Sequence, residues 1–137
     1  MGINFAWLTN VKILNFYNFD FTTPISLTGM TNLQGLGFRK CENVDFRGEL
    51  PNIISLDIFK VSGNVFNEWS KQNNINISTL ESIYISDSNN LPDNFLSFFP
   101  NIQTVQMYDL GSEKYAKIIG NAGSALNKVK EVDLTIN

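Results

Sequence analysis

The sequence predicts an α/β fold, a solenoid with a short parallel β-ribbon on its concave face and helices or turns on its convex face. Three observations indicate this fold. A twelve-residue pattern recurs along the 137 residues, an alternating strand pattern lies in the middle of each copy, and the longer connections carry apolar residues at helical spacing. Each copy then buries its apolar edge against the next copy, and the strands stack in parallel.

The recurring unit is clearest in "LPNIISLDIFKV", residues 50–61, which has apolar residues at its first, fourth, seventh and ninth places. Further copies begin at Leu8, Met30, Ile77, Phe99 and Leu126. All 24 of these template positions, four in each of six copies, are apolar, whereas 43% hydrophobic composition would put about ten there by chance. The pattern is therefore a structural unit.

The spacing of the copies carries a resemblance to a known family. Successive copies begin at intervals of about 20–27 residues, and each copy contains the pattern L-x-x-L-x-L-x-x-(N/C). On these residues the chain resembles the leucine-rich-repeat family over nearly its whole length. The family's ninth position, usually Asn or Cys, departs from the pattern here and holds Phe19, Cys41, Val61, Ser88, Leu110 and Asn137. The resemblance implies one domain of about six repeats over residues 1–137, which we expect to belong to a longer, intracellular protein.

Within each unit the middle residues predict a strand, because β-branched and aromatic residues alternate there. The predicted strands are "ILNF", "GLGF", "SLDI", "SIYI", "TVQM" and "EVDL". Helices are predicted over residues 63–73 and over residues 112–126, the second with Ser112 as its N-cap. A helical turn that begins near Pro92 is expected to bury Phe95 and either Phe98 or Phe99. The shorter connections, residues 20–29 and 42–49, predict turns or a single 3₁₀ turn.

Composition excludes several classes of function. The net charge is −3, and the ten Lys and Arg residues are dispersed, so we expect no nucleic-acid-binding face. No apolar run is long enough for a membrane span, which needs about 18 residues or more. The chain has no His and one Cys, which removes His-dependent nucleophile arrangements and the usual zinc sites. We expect no catalytic residues, no metal and no cofactor.

The candidate site is the row of side chains that point outward from the predicted ribbon, since strand side chains alternate between faces. Its aromatic and guanidinium members are Tyr17, Arg39, Phe59, Tyr84 and Tyr108. These residue types are enriched in binding hot spots. Charge changes sign along the same surface, from the cations Arg39, Lys40 and Lys60 to the carboxylates Asp87, Asp109, Glu131 and Asp133. Asp57 is a further candidate binding residue.

Two glycines, Gly35 and Gly37, leave one strand without outward side chains on either side of Leu36. They predict a shallow dent in the outward surface that a partner side chain could enter. The walls of this dent would be Ile13, Asn15, Ser55 and Asp57.

These observations favour a non-enzymatic protein–protein interaction module that binds a protein partner through its concave strand face. Two alternatives stay open. The chain could be a structural segment of a large assembly, its open ends and faces covered by other subunits. Less favoured is a carbohydrate-active parallel β-helix, which would need two or more strands in each turn of the coil.

Overall fold

The computed structural model describes residues 3–44, 46–47, 51–62, 78–88 and 91–136, with the backbone alone for residues 46–47. These residues form nine strands, one α-helix and two 3₁₀ helices. The strands are β1 Ile3–Asn4, β2 Ile13–Tyr17, β3 Ile25–Ser26, β4 Gly35–Arg39, β5 Phe46–Arg47, β6 Ser55–Phe59, β7 Ser82–Ser86, β8 Thr104–Tyr108 and β9 Glu131–Thr135. The α-helix, α1, spans Ser112–Asn121, and the 3₁₀ helices span Phe95–Phe98 and Gly123–Lys128. The chain is thus a mixed α/β protein with few helices in its described part.

All strand pairings are parallel. One sheet has six strands in the order β2-β4-β6-β7-β8-β9, and a second sheet has three short strands in the order β1-β3-β5. The six-stranded sheet consists of the six predicted strands in chain order, each paired with the strand of the next sequence unit. The prediction of one parallel ribbon is therefore confirmed.

The apolar template positions face the core. Leu36 pairs with Leu56, and Phe38 pairs with Ile58, so each template position lies beside its counterpart in the neighbouring strand. In the four middle units every such position that the structure describes is buried. This burial is the main stabilising contribution, since one fully buried Leu or Ile side chain is worth about 1.5–3 kcal/mol. The connecting segments close the core from the other side with Phe95, Leu96, Tyr115 and Ile118.

The connections differ from the sequence predictions in two places. Residues 20–29 and 42–49 were predicted as turns, but they contain β3 and β5, which continue a second parallel row from β1. These short strands pair in parallel, and beside them the amide of Ile3 donates to Pro24 O at 2.8 Å. Ser112 is not the N-cap of α1. Gly111, at φ 90°, precedes the helix, and no side chain caps it.

Other predictions for the connections have different outcomes. The helix predicted over residues 63–73 lies outside the described residues. Phe95 and Phe99 are fully buried, as predicted for the turn after Pro92, while Phe98 is only partly buried. A helix is confirmed within residues 112–126.

The twelfth place of the unit, which is the (N/C) site of the pattern, has a hydrogen-bonding role in two units. The Cys41 thiol donates to Phe16 O of the preceding unit at 3.3 Å. Ser88 Oγ accepts the amide of Val61, also in the preceding unit, at 3.4 Å. Both side chains are buried, so these bonds satisfy backbone groups that water does not reach.

In the fifth unit a helix side chain performs the same task. The Tyr115 hydroxyl of α1 lies 2.9 Å from Met107 O and 2.7 Å from Thr135 O, so its one proton is shared between these two acceptors, and the amide of Leu110 donates to the hydroxyl oxygen at 3.4 Å. One side chain thereby connects the helix with the ends of β8 and β9.

The two ends of the six-stranded sheet are packed differently. Phe16 of β2 is buried in a cluster of phenyl rings, stacked on Phe38 with ring centres 5.5 Å apart and contacted edge-on by Phe5, Phe19 and Phe21. At the other end the equivalent β9 residues, Val132 and Leu134, are each 43% exposed. These two side chains lie on the same face of the sheet as the buried residues of the middle strands, but they are much more exposed.

Candidate interaction surface

The outward face of the six-stranded sheet is set by strand alternation. In β6 the residues Leu56 and Ile58 are buried, while the alternate residues Ser55, Asp57 and Phe59 reach solvent. The register aligns Tyr17, Arg39, Phe59, Ser86, Tyr108 and Thr135 in one row across the sheet. A second row aligns Asn15, Gly37, Asp57, Tyr84, Gln106 and Asp133. The five aromatic and guanidinium residues predicted for the outward face all lie in these two rows.

One cluster on this face is centred on Arg39. Its Nη2 lies 2.7 Å from Asp57 Oδ2, and its guanidinium carbon lies 5.7 Å from the centre of the Phe59 ring. Lys60 Nζ lies 5.3 Å from the same ring, so one phenyl ring contacts two cations. The hydrogen bond to Asp57 raises the pKa of Arg39 above its usual value. Exposed cation–π contacts of this kind contribute about 0.5–1 kcal/mol each.

Asp57 has two carboxylate oxygens in different environments. Oδ2 accepts from Arg39, while Oδ1 is buried and has no hydrogen-bond partner among the described residues. Its neighbour across the strand pair is Gly37, which has no side chain to offer a donor. A hydrogen-bond donor from a partner could reach Asp57 only by way of its Oδ2 side, because Oδ1 is not accessible to solvent.

A second cluster contains the two tyrosines of β7 and β8. The rings of Tyr84 and Tyr108 lie 5.3 Å apart at an angle of 38°, a diagonal pair across neighbouring strands. Beside them Gln106 Nε2 donates to Asp133 Oδ2 at 3.3 Å. Burial raises the pKa of Tyr108, and the negative charges of Asp133 and Glu131 raise it further. The tyrosine pair therefore lies in an acidic environment.

The residue that follows each of the strands β2, β4, β6, β7 and β8 has an unusual backbone. Asn18, Lys40, Lys60, Asp87 and Asp109 all have φ between 48° and 60°. Each of their amides donates to a carbonyl of the next strand, as from Lys40 N to Phe59 O at 2.8 Å and from Asp109 N to Thr135 O at 2.8 Å. This left-handed conformation costs a non-glycine residue about 1–2 kcal/mol. It places the four charged turn residues of the candidate site in one row at the carboxyl end of the sheet.

The glycine dent is smaller than the sequence predicted. Gly35 and Gly37 are buried, because side chains of the flanking strands lean over them. A Cβ atom built on Gly37 would overlap Asn15 Oδ1, and one built on Gly35 would lie 3.2 Å from Ser55 Oγ. The predicted walls surround the glycines, but Asn15 occupies the space that a partner side chain was expected to enter.

Six of the ten predicted site residues form two groups, Tyr17 lies apart from them, and Lys40, Asp87 and Asp109 occupy the turns that follow the strands. Arg39, Asp57, Phe59 and Lys60 come together, and so do Tyr84 and Tyr108. Ser86, which lies between Phe59 and Tyr108 in the outward row, is buried and separates the groups. Tyr17 lies on β2, beside Arg39 of the neighbouring strand, and is 61% exposed. The other three aromatic residues are half-buried.

Sequence reasoning placed Glu131 and Asp133 in the charge pattern but selected neither them nor Gln106 as binding residues, although all three flank the tyrosine pair. The register rows contained the signal for all three, because each occupies an outward position of β8 or β9. The closeness of Asp133 to Tyr108 is a property of the folded sheet, since the two residues belong to different sequence units with α1 between them.

The described part of the chain shows no group of three or more His, Cys, Asp or Glu side chains that could hold a metal ion. No helix in that part is long and apolar enough to cross a membrane. A pocket of about 260 Å³ lies away from the outward face, lined by residues 27–31 with Pro51 and Asn52. Comparison of the chain with protein-family models, with curated proteins and with solved structures finds no match in any of the three.

Proposed function

We propose that this chain is a leucine-rich-repeat solenoid that binds a protein partner through the outward face of its six-stranded sheet and catalyses no reaction. One observation carries the proposal. Six parallel strands, each from one copy of the sequence unit, present aromatic side chains and a guanidinium group on one face. Aromatic residues and Arg supply much of the binding energy in protein interfaces, because they bury large areas with few flexible bonds.

The repeat assignment rests on the agreement between sequence period and strand order. Every strand of the six-stranded sheet pairs with its counterpart in the next unit at the same template position. The second row, β1-β3-β5, is the feature that a parallel β-helix would share. It has only two residues per strand, and the connection after β8 contains a ten-residue helix instead. We therefore favour the leucine-rich repeat over the carbohydrate-active β-helix.

The test compares outward-face variants with matched variants elsewhere. Partners are captured from an extract of the native source, identified by mass spectrometry and then titrated as purified proteins. We expect Tyr84→Ala and Arg39→Ala each to weaken binding at least about tenfold, the effect of losing one hot-spot side chain. Trp7→Ala is the aromatic control, since this side chain is 91% exposed and lies outside the sheet. Lys117→Ala on α1 is the cationic control.

Thermal unfolding of each variant separates binding from folding. The proposal predicts that Tyr84→Ala and Arg39→Ala lose affinity while their melting temperatures stay within about 4 °C of the parent, the effect of about 1 kcal/mol in a domain of this size. Equal loss of affinity in the two controls would contradict the proposal. So would full affinity in both outward-face variants.

A second candidate function is a structural segment of a larger assembly. Among the described residues, nine large apolar side chains are exposed. All except Ile54 lie in the first unit, in the segment before it or in the last unit: Ile3, Trp7, Leu8, Ile13, Tyr17, Val132, Leu134 and Ile136. Exposed apolar side chains concentrated in two parts of a chain favour surfaces that other proteins cover. Sedimentation velocity tests this candidate, which predicts association of the purified chain with rising concentration and its loss in Leu134→Lys. A monomer at all concentrations, with unchanged solubility, would count against it.

A further inference from the structure

We propose that the partner segment is dipolar and crosses the strands of the outward face, with its cationic groups over the Tyr84–Tyr108 pair and its anionic groups over Lys40 and Lys60. This inference rests on the proposed function and specifies the chemistry of the partner. It follows from the distribution of charge on the outward face and from the position of the tyrosine pair within that distribution.

The charges on this face separate into two halves. The strand and turn positions of β4 and β6 carry Arg39, Lys40, Lys60 and Asp57, which sum to +2. The same positions of β7, β8 and β9 carry Asp87, Asp109, Glu131 and Asp133, which sum to −4. The whole chain has a net charge of only −3, so this face is more strongly polarised than the composition suggests.

In the basic half the two lysines are the groups open to a partner. Arg39 is already bound to Asp57 at 2.7 Å, which neutralises one positive charge. Lys40 and Lys60 are exposed, and neither makes a salt bridge within the described residues. Their left-handed turn backbones place both side chains at the carboxyl end of neighbouring strands. A carboxylate or phosphate of the partner would find two cations there.

In the acidic half an aromatic surface lies among carboxylates, which is the composition that binds cations best. The electron-rich faces of Tyr84 and Tyr108 attract an ammonium or guanidinium group, and nearby carboxylates add to that attraction. Asp133 and Glu131 lie close enough to Tyr108 to raise the pKa of its hydroxyl. Asp133 receives only one hydrogen bond among the described residues, at 3.3 Å from Gln106, so it retains capacity to accept from a partner's Lys or Arg.

The geometry also sets the spacing of charges in the partner. The Tyr84–Tyr108 pair on β7 and β8 is two strands away from Lys40 and Lys60, which follow β4 and β6. Adjacent strands lie about 4.8 Å apart, so the two binding positions are separated by about 10 Å. An extended segment rises about 3.3 Å per residue, which places its acidic and basic groups about three residues apart. A segment with only one sign of charge would satisfy one half and be repelled by the other.

The test uses two synthetic peptides with blocked ends, hexa-arginine and hexa-glutamate, in two-dimensional amide NMR titrations of the full chain at low salt. We expect hexa-arginine to shift the amides of residues 84–87, 106–109 and 131–135. We expect hexa-glutamate to shift those of residues 39–41 and 59–61. Asp133→Asn should weaken hexa-arginine binding by about threefold, the usual range for an exposed ion pair. Glu113→Gln, the same chemical change on the exposed surface of α1, should leave it unchanged.

Three results would overturn the inference. Hexa-arginine could shift amides on all faces equally, or Asp133→Asn and Glu113→Gln could have equal effects. If amides of both halves shifted with protein concentration in the absence of peptide, the face would instead bind a second copy of this chain, because the two halves carry opposite charge. Failure here is distinguishable from failure of the proposed function. If Tyr84→Ala lost partner capture but the two peptides did not bind to separate halves, the dipolar segment alone would be refuted. If the peptides bound to separate halves but Tyr84→Ala captured the partner as well as the parent does, the binding role of this face would be refuted.

Discussion

Replacement of Tyr115 by Phe tests how the helix is attached to the sheet. Its hydroxyl contacts the ends of β8 and β9 together, through Met107 O and Thr135 O. Tyr115 is 6% exposed, so water cannot replace the hydroxyl without a change in packing. The phenyl ring itself is retained in the variant, and apolar burial therefore changes little.

The magnitude follows from the hydrogen bonds that are lost. A buried hydroxyl that donates one proton contributes about 1 kcal/mol net, and the Leu110 amide is left without its acceptor. We expect Tyr115→Phe to lower the free energy of unfolding by about 1–2 kcal/mol. In a domain of this size that change lowers the melting temperature by about 3–8 °C.

The assay is urea unfolding followed by circular dichroism, with amide hydrogen exchange at Leu110 and Thr135 as the local measurement. Tyr17→Phe is the matched control, because its side chain is 61% exposed and loss of an exposed hydroxyl changes stability by less than about 0.5 kcal/mol. If Tyr115→Phe were as stable as Tyr17→Phe, and exchange at the two amides were unchanged, the hydroxyl would not hold the helix to the sheet.

Three further perturbations test the backbone, the core and an ion pair. Lys40 has φ 54°, so Lys40→Gly should raise the free energy of unfolding by about 0.5–1 kcal/mol and Lys40→Val should lower it by about 1–2 kcal/mol, as measured by urea midpoints; the opposite order would refute the left-handed turn. Cys41 is fully buried, and burial raises the pKa of its thiol, so labelling by a thiol reagent at pH 8 should be on the order of 100-fold slower than in urea. The hydrogen bond from Lys114, at 2.7 Å, lowers the pKa of Asp93, so its contribution to stability is present above about pH 4 and disappears as pH falls through the lowered pKa. The difference in urea midpoint between the parent and Lys114→Met should therefore shrink below about pH 4, and a difference that stayed constant down to about pH 2 would exclude this coupling.

The positions of the six main strands could be predicted because their signal is local. Apolar residues at alternate positions, as in Leu56 and Ile58, specify a strand and the face that it buries without reference to the rest of the chain. Because every copy has the same apolar positions, the sequence also predicted the register of the pairing. Aligning Leu36 with Leu56 and Phe38 with Ile58 is the arrangement that buries every apolar row. The residues on the outward face followed from the same alternation.

Other features had no local signal. The strands β3 and β5 are two residues long, and they form only because adjacent coils bring two backbones to hydrogen-bonding distance. The expectation of a glycine dent was wrong in its volume because the rotamer of Asn15, on the neighbouring strand, decides whether the space above Gly37 is empty.

The sequence by itself determined the repeat, the parallel strand order and the list of side chains on the outward face, because apolar periodicity acts over a few residues. Only the tertiary structure decided which of those side chains meet. Arg39 of β4 donates a hydrogen bond to Asp57 of β6, and the Tyr84 ring of β7 contacts the Tyr108 ring of β8. Each of these partners lies in the following sequence unit. Such pairings depend on the coil lengths between strands and on competing neighbours, and these are set by the packing of the whole stack of strands.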